Sequence, residues 1–314
     1  MNKNKLKTEI THIIIAVCTY KRKQELERCL FSLCDMNYPK NIKTEILIVD
    51  NDIEKSANEV FEKFKNRLNI HYVVEERQGL SNVRNRALKE AINMGGSHLA
   101  FIDDDEIADI DWLINHVDFY NRFEEIYISS GPTYKKFDRD YPDYIVNNSV
   151  FRVISRKELG AFKKTCASGN VFFSLDIVKE NDIYFDEKYN FSGSEDTDFF
   201  GRLSKAGYKI GWNYNAVNFE IVQSSRANIK WILKRAFHNG YSVSGVKLSD
   251  ETNYFKRGFY IIEKFFTVII NLVTIIFSIP FGMTEILNSL VRFNKNLGKL
   301  LGAFILKQDK YYRE

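Results

Sequence analysis

Four acidic residues in a row, Asp103-Asp104-Asp105-Glu106, close the apolar stretch Leu99-Ala100-Phe101-Ile102. Carboxylates crowded in this way repel one another unless a cation sits between them. The ends of buried strands in an open α/β sheet are also where ligands bind. The chemistry implied is a divalent metal carrying an anionic substrate such as a nucleotide diphosphate. A solvated acidic turn before a helix is the plain alternative, because acids favour helix N-termini. A second acidic group, Glu195-Asp196-Thr197-Asp198, follows Gly193-Ser194 and opens a segment with helix character that runs to Ala206 and stops at Gly207.

The elements that must position these groups are legible as an alternation. His12 to Val17 is a continuous β-branched run, the mark of a strand buried on both faces, and Glu45 to Val49 and Ile70 to Val74 read as further strands. Between them, Leu26, Cys29, Leu30 and Leu33 fall on one face of a helix over Gln24 to Met36. Ser81 is an N-cap candidate for a helix reaching Met94, with Gly95-Gly96 as its stop. The β-α-β-α-β-α-β order with short connections predicts right-handed crossovers and a mostly parallel sheet flanked by helices. The strand ends Cys18-Thr19-Tyr20-Lys21-Arg22, Asp50-Asn51-Asp52, Glu75-Glu76-Arg77 and Asp103-Asp104-Asp105 then meet on one edge, the expected ligand crevice. Further on, Ile126 to Ser130 and Ser168 to Phe173 read as strands, and Pro132 to Asn148 as a tyrosine-rich loop. Tyr208 to Val222 reads as one or two more strands, and Ile229 to Asn239 as a helix ended by Gly240.

The 314 residues suit one large α/β domain with an appendage, and 45% hydrophobic residues with only 4 prolines exclude a disordered chain. A net charge of +4 with dispersed basic residues argues against nucleic acid as a partner. Cys18, Cys29, Cys34 and Cys166 form no CxxC pair or zinc-like group with the 5 histidines and read as reduced thiols. Met1 to Lys7 lacks an apolar core, so no secretory signal is expected and the catalytic body is placed in the cytoplasm.

The segments VCTYKR, IVDN, RQGLSNVRNRAL, FIDDDE and GSEDTDFFGRL, in this order over roughly residues 10 to 240, resemble the family 2 glycosyltransferases. The resemblance implies a GT-A fold, a Rossmann-like sheet binding a nucleotide-diphospho-sugar. It also implies inverting transfer from a donor that is usually UDP-linked, and a need for Mg²⁺ or Mn²⁺. Matched by position, Thr19 and Tyr20 would line the nucleotide pocket, and Asp50 would hydrogen-bond the uracil or its ribose, unless it is only a turn residue ahead of Asn51. Gly79, Asn82 and Arg84 fall where the family contacts the donor. Arg84 offers a guanidinium fork to the diphosphate, with Arg86 as the competing candidate. Asp103 and Asp105 match the DxD motif, one holding the metal and the other ribose or metal, while Asp104 would face away. Asp196, with Glu195 as the alternative, matches the base that takes the acceptor's proton. In many relatives a His completes the metal shell upstream of an Arg; here Glu220 precedes Arg226, which makes Glu220 a candidate hard oxygen ligand.

After about Tyr254 the chain changes character. Phe265 to Thr284 is uncharged and long enough to cross a bilayer, with Lys256, Arg257 and Lys264 before it and Arg292, Lys295 and Lys299 after. Residues 286–306 are amphipathic, with Leu287, Leu290, Phe293, Leu297, Leu300, Leu301 and Phe304 opposite basic positions. The division expected is a glycosyltransferase domain over 1–250 and a membrane-associated helical tail over 251–314, at the cytoplasmic face of the cell membrane. A buried helical hairpin is the alternative, and spanning versus lying flat stays open. Lys230, Lys234 and His238 share a helix face suited to a lipid diphosphate or anionic headgroups, or merely to solvent. The activity expected is transfer to a polysaccharide or lipid-linked glycan. The rivals are a sugar nucleotidyltransferase, for which CTYKR lacks the glycine-rich loop, and a non-catalytic nucleotide-sugar-binding relative or scaffold.

Overall fold

The computed structural model describes residues 7–153, 158–249 and 252–304. The order begins β1 (His12–Thr19), α1 (Lys23–Asp35), β2 (Lys43–Asp50), α2 (Asn58–Phe64), β3 (Ile70–Val74), α3 (Leu80–Asn93), β4 (His98–Asp103), β5 (Glu106–Ala108) and α4 (Trp112–Arg122). It continues with β6 (Ile126–Ser130), β7 (Thr133–Phe137), α5 (Asp143–Val146), β8 (Phe162–Lys163), β9 (Asn170–Ser174), α6 (Asp176–Lys179), α7 (Glu195–Lys205), β10 (Lys209–Trp212) and β11 (Asn218–Val222). Three long helices follow: α8 (Ile229–Ser249), α9 (Tyr254–Ser278) and α10 (Met283–Phe304).

Eight strands form one sheet in the order β3-β2-β1-β4-β9-β6-β10-β8. Its first half is parallel, and β9 then runs antiparallel to both β4 and β6. The expected parallel sheet therefore holds for the strands that lead to the acidic cluster and gives way beyond them. Successive residues of a strand face opposite sides, and both sides are apolar here. Ile13, Ile15 and Val17 of β1 pack with α1, α2 and α4, while Ile14 and Ala16 pack with α3 and α7. That two-sided burial is why the strands lack polar alternation. The register sets Thr19 beside Asp50 and Cys18 beside Asp103, so three strand ends meet where the sheet order reverses.

Two expectations need correction. Residues 132–148 are not all loop: β7 alternates half-buried Thr133, Lys135 and Phe137 with exposed Tyr134 and Lys136, and α5 follows. Gly240 does not end a helix, because α8 continues to Ser249. A Cβ on Gly240 would lie 1.9 Å from the Lys295 carbonyl oxygen, and one on Gly298 would lie 2.1 Å from that of Phe237. The glycines let α8 and α10 touch backbone to backbone.

The chain divides into two compact units. The first holds residues up to 134, 158–190 and 195–220; the second holds 135–153, 191–194 and 221–304. The division falls within β7 and β11. The second unit has its own core, with Ile232 and Ala236 of α8 against Leu287 and Val291 of α10. Part of the amphipathic face of α10 is therefore buried on α8, while Leu301 and Phe304 are exposed and the last two positions of 286–306 lie outside the described residues. Among the described residues one helical stretch, Tyr254–Phe281, is long and apolar enough to cross a membrane.

Candidate active site

Strand β4 delivers Asp103 and the chain then turns sharply into β5, which aims the four carboxylates in different directions. Asp104 turns inward and is buried, accepting from the Thr19 hydroxyl at 2.8 Å and from Arg22 Nη1 at 3.0 Å. Burial pushes its carboxyl up to about 7, against the pull of Arg22. The same Arg22 nitrogen lies 3.3 Å from Asp105 Oδ2, so one guanidinium ties two neighbours of the cluster. Glu106 is buried too, and its Oε2 accepts from the Asp103 N–H at 3.2 Å and from Asn218 Nδ2 at 2.7 Å. Asp103 is the open member, its side chain 41% exposed. Gly169 makes room behind it: a Cβ there would stand 2.7 Å from Asp103 Oδ2 and 2.8 Å from Glu106 Oε1.

Arg84 joins this cluster to the second acidic group. It projects from α3, is 8% exposed, donates through Nη1 to Glu195 Oε1, and places Nη2 3.3 Å from Asp103 Oδ1. Desolvation opposes its charge, but Glu195 and Asp103 outweigh that and hold the guanidinium charged above its ordinary range. Glu195, at the first turn of α7, is buried with Oε2 unpartnered. Its carboxyl is pushed up to about 7, chiefly by burial and against Arg84. Asp196 beside it is only partly buried, and its Oδ1 accepts from the Thr197 N–H and hydroxyl. Asp105, Asp196 and Glu220 all press on Asp103, whose carboxyl is raised, by desolvation first and then by these like charges.

The expected pocket residues divide. Tyr20 is exposed at the crevice, with its hydroxyl accepting from Gln78 at 2.9 Å. Gly79 has φ of 141° and a Cβ there would be 2.3 Å from Asn190, so α3 can start only on glycine. The Asn190 amide oxygen then accepts from the Asn82 N–H at 3.0 Å, while Asn82 Oδ1 is buried without a partner. Asp50 has no exposed surface. It accepts from Asp52 N at 3.0 Å, Ala57 N at 2.8 Å and the Tyr72 hydroxyl at 2.8 Å. These bonds fasten the turn after β2. Arg84 likewise turns its fork to two carboxylates, and Arg86 pairs with Glu90 at 3.3 Å on the helix surface.

Among the described residues no three His, Cys, Asp or Glu side chains are gathered as a metal cage. Asp103, Asp105 and Glu220 thus do not close a shell by themselves. Glu220 sits on β11 opposite Glu106 of β5. The donor set still fits a hard cation such as Mg²⁺, which takes one or two carboxylates and leaves its other positions to water and substrate phosphates. Arg22 and Glu106 lie within the motifs but have no assigned role there, and Gly169, Asn190 and Asn218, which no motif contains, also shape the site.

The model of glycosyl transferase family 2 matches residues 14–181, more than half of the chain. The chain belongs to that family. It is 31% identical over 237 residues to the succinoglycan biosynthesis protein ExoM of Rhizobium meliloti (strain 1021), covering 74% of each chain. It is 26% identical over 231 residues to the chondroitin synthase of Escherichia coli, covering 63% of this chain and 33% of that one. The fold resembles S. aureus TarS 1-349 in complex with UDP-GlcNAc, with a TM-score of 0.55 at 17% identity over 96% of this chain and 93% of that one. It also resembles the mannosyltransferase PcManGT from Pyrobaculum calidifontis in complex with GDP-Man and Mn²⁺, with a TM-score of 0.58 at 17% identity over 95% and 75%. Against a longer TarS chain the match spans 47% of that chain. The protein is a glycosyltransferase of GT-A fold.

Proposed function

We propose that this glycosyltransferase moves a sugar from a UDP-linked donor to a polysaccharide or lipid-linked glycan, inverting the anomeric carbon. The carrying observation is the Asp103–Arg84–Glu195 bridge, which holds the DxD-type strand end and the acidic start of α7 within one guanidinium's reach. Thr19 and Tyr20 line the edge where the nucleotide docks, and Asp50 and Gly79 shape that edge through the backbone. Asp103 and Asp105, with Glu220 adjoining, would hold Mg²⁺ or Mn²⁺, which when bound would supply Lewis-acid relief to the negative charge of the departing diphosphate. Arg84 acts as a positioning residue.

The acceptor hydroxyl oxygen bonds to the anomeric carbon as the bond from that carbon to the diphosphate oxygen breaks. Asp196 takes the hydroxyl proton, because its carboxylate is accessible while Glu195 is buried against Arg84. Relatives named for succinoglycan biosynthesis and chondroitin synthesis support a polysaccharide setting, and neighbours bound to UDP-GlcNAc and to GDP-Man with Mn²⁺ support the donor class. The apolar α9 supports work at a membrane, and we place that work at its cytoplasmic face. Asp196→Asn tests the assignment. Transfer should fall about 10²–10⁴-fold, the usual worth of a general base, with UDP-sugar affinity unchanged. Turnover like the wild type would overturn the role.

A further inference from the structure

Helix α9 is built inside out. Its polar side chains Tyr260, Lys264, Thr267, Asn271, Thr274 and Ser278 recur at spacings of four and three, which is one helical face. Members of that polar stripe, Tyr260, Asn271 and Ser278, are the buried residues of the helix. The apolar faces are bare: Phe259 is 72% exposed, Ile270 62% and Phe277 70%. Four members of the polar stripe bond back to their own helix. Thr267 donates to the Glu263 carbonyl, Asn271 to that of Thr267, Thr274 to that of Asn271 and Ser278 to that of Ile275, all at 2.7–2.8 Å. Side chains that return their hydrogen bonds to their own helix suit a medium without water.

Helix α10 decides how α9 meets that medium. The two are antiparallel: Gly282 turns the chain at one end, and at the other Arg257 Nη2 donates to the Ala303 carbonyl at 3.1 Å. Arg292 and Lys295 are exposed on α10, about 14 and 18 Å along the axis from Met283 at ~1.5 Å per residue. In a spanning hairpin they would lie near the middle of a hydrocarbon layer ~30 Å thick. Laid in the membrane plane, the same charges reach headgroups.

Beside them is a cluster of cations from three helices. Lys247 Nζ of α8 lies 4.4 Å, and Lys264 Nζ of α9 5.2 Å, from the centre of the Tyr260 ring. Burial and then Lys295, Lys264 and Lys247 hold the Lys299 ammonium below its ordinary range, with Glu263 the carboxylate acting against them. Convergent lysines next to a bare apolar ridge complement an anionic phospholipid surface.

We infer that α9 lies flat in the interface of a bilayer rich in anionic lipid, its apolar faces in the acyl boundary, with Lys247, Lys295 and Lys299 on the lipid phosphates while Lys264 pairs with Glu263. This rests on the membrane reading above and is independent of the donor chemistry. The full chain is floated with sealed vesicles of phosphatidylcholine alone or with about a third of phosphatidylglycerol. Binding to the anionic vesicles should be roughly tenfold tighter or more. Lys295→Glu with Lys299→Glu should erase that preference, and Phe259→Glu with Phe266→Glu should lower binding to both vesicles at least tenfold. Equal binding to both vesicles by the wild type, or a stable dimer that ignores vesicles, would overturn the inference. For orientation, Glu285→Cys should react with an impermeant maleimide added outside, read by peptide mass; protection until the vesicles are opened would show a spanning helix and overturn it. Protection by UDP-sugars against unfolding is measured on the same samples. Its persistence without vesicle binding defeats only this inference, and its loss with vesicle binding intact defeats only the donor reading.

Discussion

In the first unit Asp50, Asp104, Glu106, Arg84 and Glu195 are each 8% exposed or less, whereas in the second Phe255, Phe259, Phe277 and Phe281 are each 70% exposed or more. Each departs from the ordinary distribution, and each departure marks what the unit works on. A buried charge persists only where partners hold it. Here the partners are backbone donors for Asp50, Arg22 for Asp104, and Arg84 for Glu195 and Asp103. Exposed hydrocarbon persists only where something else covers it. On the function proposed above, the first unit prepares charge for an anionic ligand, and the second prepares apolar surface for a membrane.

The largest break in this contrast should come from Arg84→Met. Removing the guanidinium leaves Glu195 and Asp103 unpaired and should cost about 3–5 kcal/mol of stability in urea unfolding. Adding Glu195→Gln should recover part of that loss, because one stranded charge is then gone. If Arg84→Met is neutral, the bridge does not hold the site. A smaller effect tests another part of the first unit. His116 is fully buried between the Ser129 hydroxyl and the Asn170 amide oxygen, each at 2.8 Å, and burial pushes its imidazole down to about 4. The folded pKa lies below the unfolded one, so the neutral ring's contribution is complete above about pH 6.5 and is lost as pH falls toward 4. At pH 5 roughly 2 kcal/mol of that contribution should be missing relative to pH 7, checked as the difference in urea midpoint between wild type and His116→Gln at both pH values, since the raised carboxyls of Asp104 and Glu195 act in the opposite sense in both proteins. The smallest change is predicted for the second unit: Phe259→Glu in water should shift stability by no more than about 0.5 kcal/mol, because its ring is exposed. A large loss there would mean that α9 is covered by protein.

The strands that converge on Asp103 were legible because each is a continuous apolar run with a polar end, a local signal. Strand β7 was not, because Lys135 and Lys136 hide its alternation and only its half-buried face betrays it. Gly240 reads as a helix stop from the chain alone; its actual use, contact with the Lys295 backbone, depends on a helix some fifty positions away. The site divides in the same way. Asp103, Asp196 and Arg84 were found by motif, but the partners of Arg84 were not, since a guanidinium near a phosphate site has the same local sequence as one bound to carboxylates. Asp50 likewise matches its motif while the fold turns its oxygens to Asp52, Ala57 and Tyr72. Arg22 stands inside a motif whose local sequence does not show its partner Asp104, while Gly169 and Asn190 lie outside the motifs, and only register and loop closure bring them in.

In the proposed mechanism the end of β4 holds the diphosphate through a cation while α7 supplies the base. Thermal unfolding with UDP and a panel of UDP-sugars, with and without Mn²⁺, tests it on the wild type, Asp103→Asn and Asp196→Asn. Ligand at a hundredfold excess over Kd should add about 2.7 kcal/mol. Mn²⁺-dependent protection is expected of the wild type and Asp196→Asn, and its loss in Asp103→Asn. Protection of all three proteins irrespective of Mn²⁺, or protection of none by any nucleotide, would contradict it.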